Sequence, residues 1–362
     1  MNSTTWRDRA APVRPGEEID AEKLAGYLRE QIPGLEGELV IEQFPQGFSN
    51  LTYLLRFGER QMVLRRPPFG ARIKSAHDMG REFKILSQLT GVYPKIPRPL
   101  LYNNDETVLG APFYVMSRLE GVILRAEMAA ETIPDAALMA QIADAFVDNL
   151  VAIHDINYQR AGLGDLGRPE GYVARQVAGW SKRYQNARSD DIYEIDEVMA
   201  WLANNQPLES GAALIHNDYK YDNLVLNPAD WSRILGVLDW EMATLGDPLM
   251  DLGSSLGYWV EAGDPAEIRA LRLSPTDLPG NPSRSELVER YVRASGRDVG
   301  DIVFYYVYGL FKLAVIVQQI YSRYLLGHSQ DPRFAGLIQA VRACGRMAVA
   351  AMEKGRIDRL MA

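Results

Sequence analysis

Residues 214–247 read LIHNDYKYDNLVLNPADWSRILGVLDWEMATLGD. The stretch places His216, Asp218 and Asn223 in the order H-x-D-x(4)-N, with Asp239 sixteen residues beyond Asn223 at the end of an apolar run. Ala212–Ile215 form a short apolar approach, and residues 217–223 a polar loop. Leu224–Leu226, a turn at Asn227–Trp231 and Arg233–Leu238 then read as a β-hairpin. Asp218 and Asn223 flank the loop and Asp239 ends the neighbouring strand, which lets the three side chains face one cleft.

This spacing suits phosphoryl transfer, which the protein catalyses chiefly by positioning and charge stabilisation. Magnesium takes hard oxygen ligands, here the Asn223 amide and the Asp239 carboxylate. Asp218 is left to orient the attacking hydroxyl and accept its proton. A solvated hairpin loop explains a lone aspartate well. The spaced trio should arise by chance in only about one chain in fifty to a hundred of this length.

The remaining composition is compatible. At 362 residues the chain exceeds what one core usually serves, so two lobes are expected. It is 47% hydrophobic and 24% charged, with formal net charge -8, which disfavours nucleic acid as the main partner. A lone cysteine, Cys344, excludes a disulfide scaffold and an all-thiolate zinc site and suits the cytoplasm. The first twenty residues show neither a signal peptide nor a lipidation signal. The apolar run 302–317 is interrupted by Lys312, so a buried core helix is expected and no membrane partner.

The pattern changes near residue 120. ELVIEQF (38–44), LTYLLRF (51–57) and residues 61–65 read as strands, followed by a helix over 77–89 and two strands, PRPLLYN and PFYVMSRL, joined by an Asn-Asn-Asp-Glu turn. Helices are expected near 134–154, 171–187, 191–205, 248–258, 285–294, 301–324 and 332–353. The expected fold class is α+β, bilobal, with a small antiparallel-sheet N-lobe and a mainly helical C-lobe. The divisions are a lead-in and helix over 1–34, a nucleotide-binding lobe over 35–120 and a catalytic and substrate-binding lobe over 121–362.

GFSNLTYLL, VLRRPP, a helix beginning REF, PFYVMSRLEG, LIHNDYKYDNLVLN and VLDWEMATLGDPLMDLG together resemble the aminoglycoside phosphotransferase family, which shares its kinase-like fold with choline kinases. The likeness runs over roughly residues 35–350 and is closest to the subgroup fused to acyl-CoA dehydrogenase domains. It implies a protein-kinase-like fold, ATP (with GTP as the alternative nucleotide) and magnesium (Mg2+) as cofactors, and a small-molecule hydroxyl substrate. By this resemblance Asp218 is the catalytic aspartate, Asn223 and Asp239 are the metal ligands, and His216 supports the loop.

The family pattern further places a basic residue at the end of the third strand against a helix glutamate, positions held here by Arg65 and Glu82. Distant aminoglycoside kinases use lysine at the first of these. Arginine offers a rigid fork in its place. Residues 56–84 hold eight Arg or Lys against three acids. Strand alternation sends Arg65 and Arg66 to opposite faces, so one of the two is expected to reach the nucleotide. Ser49 and Asn50 fall where a phosphate-covering loop is expected, and Ser117 and Leu119 fall in the connection between lobes, a candidate for adenine contacts. Glu241 is a candidate for a second metal or its water shell. Asp251 is expected to cap the helix over 248–258 or to hold the loop of Asp218.

The acceptor is open on sequence. A tyrosine-rich helix with Tyr305, Tyr306, Tyr308 and Lys312 forms an apolar wall if it faces the cleft, and core otherwise. The wall and the subgroup lean toward a hydroxyacid or hydroxyacyl compound. The alternatives are an aminoglycoside or choline-like kinase and a nucleotide-binding regulatory pseudokinase. The acidic run from Asp190 to Glu197 is most simply a solvated helix face. The sequence leaves the oligomeric state open.

Overall fold

The computed structural model describes residues 10–44, 50–69, 78–126, 128, 132–328 and 331–360. The chain divides into two compact units. One comprises the chain up to Ile123 with Ala161–Leu163 and Asn223–Met242; the other comprises Leu124–Arg160, Gly164–Asp222 and the remainder from Ala243.

The first unit is built on a five-stranded antiparallel sheet. Its strands are β1 (Leu39–Gln43), β2 (Leu51–Phe57), β3 (Arg60–Arg66), β4 (Pro99–Asn103) and β5 (Phe113–Ser117), in the order β1-β2-β3-β5-β4. Helix α1 (Ala21–Gln31) starts at Asp20, whose side chain accepts from the Lys23 N–H. It packs Leu24 and Leu28 with Tyr53, Leu55, Met62 and Leu64 in one core. The period-two alternation of β3 therefore commits Met62, Leu64 and Arg66 to one face and Val63 and Arg65 to the other. Helix α2 (Met79–Leu89), capped by Asp78, turns Met79, Glu82, Ile85, Leu86 and Leu89 inward. The strands match the expected runs closely. Between β4 and β5, however, the expected simple turn contains a helical turn, α3 (Glu106–Leu109), because Asp105 caps it and Gly110 closes it at φ 76°. The unit is completed by the expected hairpin, β6 (Leu224–Asn227) with β7 (Asp230–Val237), whose Leu226 also bridges to Val122.

The second unit is mainly helical. It contains α4 (Ala136–His154), α5 (Tyr172–Ala187), α6 (Tyr193–Asn204), α7 (Pro248–Tyr258), α8 (Ala266–Arg269), α9 (Arg284–Ser295), α10 (Ile302–Leu325) and α11 (Leu337–Lys354). The last begins after a 3-10 stretch, Pro332–Gly336, where a single helix was expected. Ala213–Ile215 pairs antiparallel with Thr244–Gly246, a partner strand that three residues were too few to announce. Helices α4 and α10 are long and apolar enough to cross a membrane by length and composition. In α10, however, 72% of the apolar window is buried inside the protein, as expected for a core helix. Its seat against α7 requires glycine, since a Cβ at Gly309 would lie 2.0 Å from the Gly253 carbonyl oxygen. Tyr305, Tyr306 and Tyr308 of α10 are fully buried core side chains. The apolar wall inferred from them has no support.

Candidate active site

In the first unit, Arg65 is the centre of a charged cluster. The β3 alternation points it at α2, where its Nη1 donates to Glu82 Oε1 at 2.5 Å, both side chains being buried. Its Nη2 donates to Asp239 Oδ1 at 2.9 Å and lies 3.4 Å from Glu241 Oε2. Asn50 also donates to Glu241, at 2.6 Å. Burial would weaken the Arg65 charge, but Glu82, Tyr114, Asp239 and Glu241 outweigh it and hold the guanidinium firmly protonated. Burial pushes the Glu82 carboxyl upward while Arg65 opposes it. Arg66 turns the other way, as alternation requires, and donates to the Pro67 and Leu109 carbonyls.

Asn223 and Asp239 stand at the same end of the β6–β7 hairpin. The Leu238 N–H donates to the Asn223 carbonyl at 2.8 Å, which places Asn223 across from Leu238, the residue just before Asp239. Asp239 has φ 66°, a left-handed conformation that aspartate tolerates better than most residues and that turns the chain sharply out of β7. With the Glu241 carboxylate nearby, these donors are hard oxygens of the kind magnesium takes. Among the described residues, no group of three or more His, Cys, Asp and Glu side chains forms a metal cage. Magnesium is normally held by one or two carboxylates with phosphate oxygens and water completing its shell, so the donor set fits that ion.

In the second unit, Asp218 lies in the loop after Ala213–Ile215. Burial would raise its carboxyl, but Lys220, whose Nζ is 2.5 Å from Asp218 Oδ2, lowers it, with Lys312 and His216 adding to the effect. The carboxylate is thus kept ionised. His216, fully buried, uses Nδ1 to accept the Asp218 N–H at 3.2 Å. Asp251 accepts from the His216 and Asn217 N–H groups, each at 2.7 Å, and contacts His154 Nε2 at 3.2 Å. It therefore holds the loop. The cap of α7 is Asp247, which accepts from the Leu249 N–H.

The other expected residues divide. Ser49 lies outside the described residues. The Ser117 N–H donates to the Arg98 carbonyl at 2.8 Å, so the edge of β5 is already paired there. The Leu119 side chain fills the space over Gly236, where a Cβ would lie 2.2 Å from Leu119 Cδ1. The acidic run is a paired surface: Arg188 bridges Asp191 and Asp196, and Arg342 reaches Asp190. Sequence reading passed over Lys220 and Asn217. The first was visible as a cation two residues past the aspartate. The second was visible only as a residue type that tolerates positive φ, which it adopts at 66°.

A model of the phosphotransferase enzyme family matches residues 40–287. The chain belongs to this family. It is 35% identical over 356 residues to human acyl-CoA dehydrogenase family member 11, a match covering 94% of this chain and 44% of that protein. The chain thus spans less than half the length of the curated relatives it matches. A solved Ralstonia eutropha protein, described as a candidate aminoglycoside phosphotransferase, is 30% identical with TM-score 0.78, covering 93% of this chain and 99% of the other. Choline kinase from Cryptosporidium parvum shares the fold at TM-score 0.61 and 13% identity, over 94% of this chain and 98% of its own. The phosphotransferase fold, with its antiparallel-sheet first lobe and helical second lobe, is that expected from the sequence.

Proposed function

We propose that the chain is an ATP- and magnesium-dependent phosphotransferase that phosphorylates a hydroxyl group of a small molecule in the cytoplasm. The observation that carries this is the ionised Asp218, held by Lys220 and fixed through His216 and Asp251, on the loop that leads directly into Asn223. Asp218 accepts a hydrogen bond from the acceptor hydroxyl, aims its oxygen at the γ-phosphorus and takes the proton as the new P–O bond forms and the bond from the γ-phosphorus to the bridging oxygen breaks, ADP leaving with that oxygen. Asn223 and Asp239 would hold magnesium, which would supply positive charge to offset that of the phosphates. Arg65, anchored by Glu82, supplies a fixed positive charge for the nucleotide phosphates, and Glu241 lies within its reach. Ser49, Asn50, Ser117 and Leu119 remain candidates for nucleotide contacts, with the adenine-facing donors beyond the paired Ser117 N–H.

For the acceptor, the solved relatives support an amino sugar or a choline-type alcohol. The 35% identity to a protein named as an acyl-CoA dehydrogenase family member supports a second reading, a hydroxyacid or hydroxyacyl compound. Phosphate transfer from ATP to kanamycin-like amino sugars, choline and 3- or 4-hydroxyacyl compounds separates them, with Asp218→Ala as the control. Transfer to one class, abolished in Asp218→Ala, supports the reading. Tight ATP binding with no transfer to any hydroxyl identifies a regulatory pseudokinase and overturns it.

A further inference from the structure

Helix α10 lies outside the region matched by the family model, which ends at residue 287. It nonetheless sends one cation to the Asp218 loop. Lys312 is 2% exposed, and its Nζ donates to the Asn217 carbonyl and lies 3.4 Å from Ser254 Oγ. The Asn217 carbonyl and the Asp218 N–H belong to one peptide plane. Lys312 thus holds one end of that plane while His216 Nδ1 holds the other. On its other side Asn217 is fixed as well, its N–H to Asp251 Oδ1 and its side-chain oxygen to the Tyr172 hydroxyl at 3.1 Å. A non-glycine residue at φ 66° stays there only when its surroundings over-determine it.

We propose that Lys312 is a positioning residue for phosphoryl transfer: from α10 it clamps the Asn217–Asp218 peptide and so sets the direction of the Asp218 carboxylate. This rests on Asp218 being the residue that receives the acceptor's proton. Releasing the carbonyl lets the peptide plane rotate and displaces the carboxylate by a fraction of an ångström or more, and reacting groups are sensitive to such shifts. A lysine is an expensive way to hold a carbonyl inside a core, since its charge must be desolvated. Burial lowers the ammonium to about 8, against the opposing pull of Asp218 and Asp251. The groups facing it are Asp218 and Lys220 from the loop, Asp251 from α7 and Arg183 from α5. The Trp180 ring of α5 lies 5.9 Å away.

Lys312→Met and Lys312→Arg, with Asp218→Asn in parallel, test the proposal through magnesium-dependent ATP hydrolysis, which uses water as acceptor. In Lys312→Met, kcat is expected to fall on the order of 10- to 100-fold with KM for ATP within about twofold, the cost expected of misplacing a reacting group. Lys312→Arg restores part of it and moves the alkaline limb of the pH profile, near 8 in the parent, to higher pH. In Lys312→Met the thermal midpoint at pH 7 gains from removal of a desolvated charge and loses from the Asn217 carbonyl left without its donor, so it should shift little. Partial recovery of kcat in Lys312→Arg at an unchanged midpoint separates positioning from a structural role. A kcat unchanged in Lys312→Met while Asp218→Asn is inactive overturns this proposal alone; an active Asp218→Asn overturns the assignment of Asp218 on which it rests. A lysine 13Cε NMR titration needs no turnover. It should show one resonance with a midpoint near 8 that disappears in Lys312→Met and moves lower in Asp218→Asn, where an anionic neighbour is lost. A Lys312 midpoint at the ordinary lysine value, or one indifferent to Asp218→Asn, overturns the proposal.

Discussion

Replacing Asp251 by asparagine should cost far more than the loss of one oxygen suggests. The carboxylate is fully buried and accepts two backbone N–H groups at 2.7 Å, from His216 and Asn217, besides its contact with His154. An amide has one accepting oxygen, so one of the two N–H donors must face an NH2 group. A hydrogen bond to a charged group is worth about 1.5–3 kcal/mol, and a buried donor left unmatched costs about 1–3 kcal/mol. The expected loss is about 2–4 kcal/mol, a large share of the ~5–15 kcal/mol that stabilises a typical domain. Urea denaturation measures it as a fall in midpoint of about 1 M for a slope near the upper end of ~1–3 kcal/mol/M. The pH dependence fixes the sign. Burial alone would raise the Asp251 carboxyl, but the hydrogen bond and charge of His154, with His216, hold it below its ordinary value. The ionised form's contribution is therefore fully present above about pH 4 and is lost as pH falls through the depressed value. The gap between parent and variant should narrow as pH falls through the depressed Asp251 value. A loss under about 1 kcal/mol at pH 7, or a gap that widens in acid, would refute the role given to Asp251.

Removing Lys220 as Lys220→Met takes away the strongest of the charges that lower the Asp218 carboxyl, so the acid limb of the kcat profile should move to higher pH; a limb that stays in place contradicts the pairing. Arg65→Met leaves Glu82 buried and unpaired and should cost about 3–5 kcal/mol of stability in urea titration, most of it recovered in the double variant Arg65→Met/Glu82→Leu. Nucleotide binding measured by calorimetry should stay weak in that double variant, since the charge proposed to meet the phosphates is still missing. Asn217→Gly keeps the positive φ and should retain activity better than Asn217→Val, for which the left-handed backbone costs about 1–2 kcal/mol more, read by thermal midpoint and kcat together.

Much of the fold and site was legible because local pattern and tertiary position agree. The period of two along β3 is enough to separate Arg65 from Arg66, and the register of the hairpin over 224–237 brings Asn223 and Asp239 to the same end of it. The helix α3 was missed because its four residues are too few for periodicity to act. The loop-holding role of Asp251 was foreseen as one of two options, because the capping alternative needed Asp247 to be recognised as the earlier and better placed cap. Lys312 was legible only as a charge that spoils a membrane span. Its contact is 95 residues away in the chain, at the Asn217 carbonyl, and no spacing rule reaches that far. The tyrosines of α10 left two readings open, and burial decides for the core, because an apolar helix has the same composition whether it lines a cleft or fills a core.

The central claim is a division of labour: Asp218 acts on the hydroxyl, while Asp239 with Asn223 holds the metal. Calorimetry of Mg·ATP binding, joined to transfer of the γ-phosphate in the same preparations, tests it most directly. Asp218→Asn should bind Mg·ATP as the parent does and transfer nothing measurable, whereas Asp239→Ala should lose the magnesium-dependent part of nucleotide affinity. Transfer at the parent rate by Asp218→Asn, or magnesium-dependent binding undiminished in Asp239→Ala, would contradict the account.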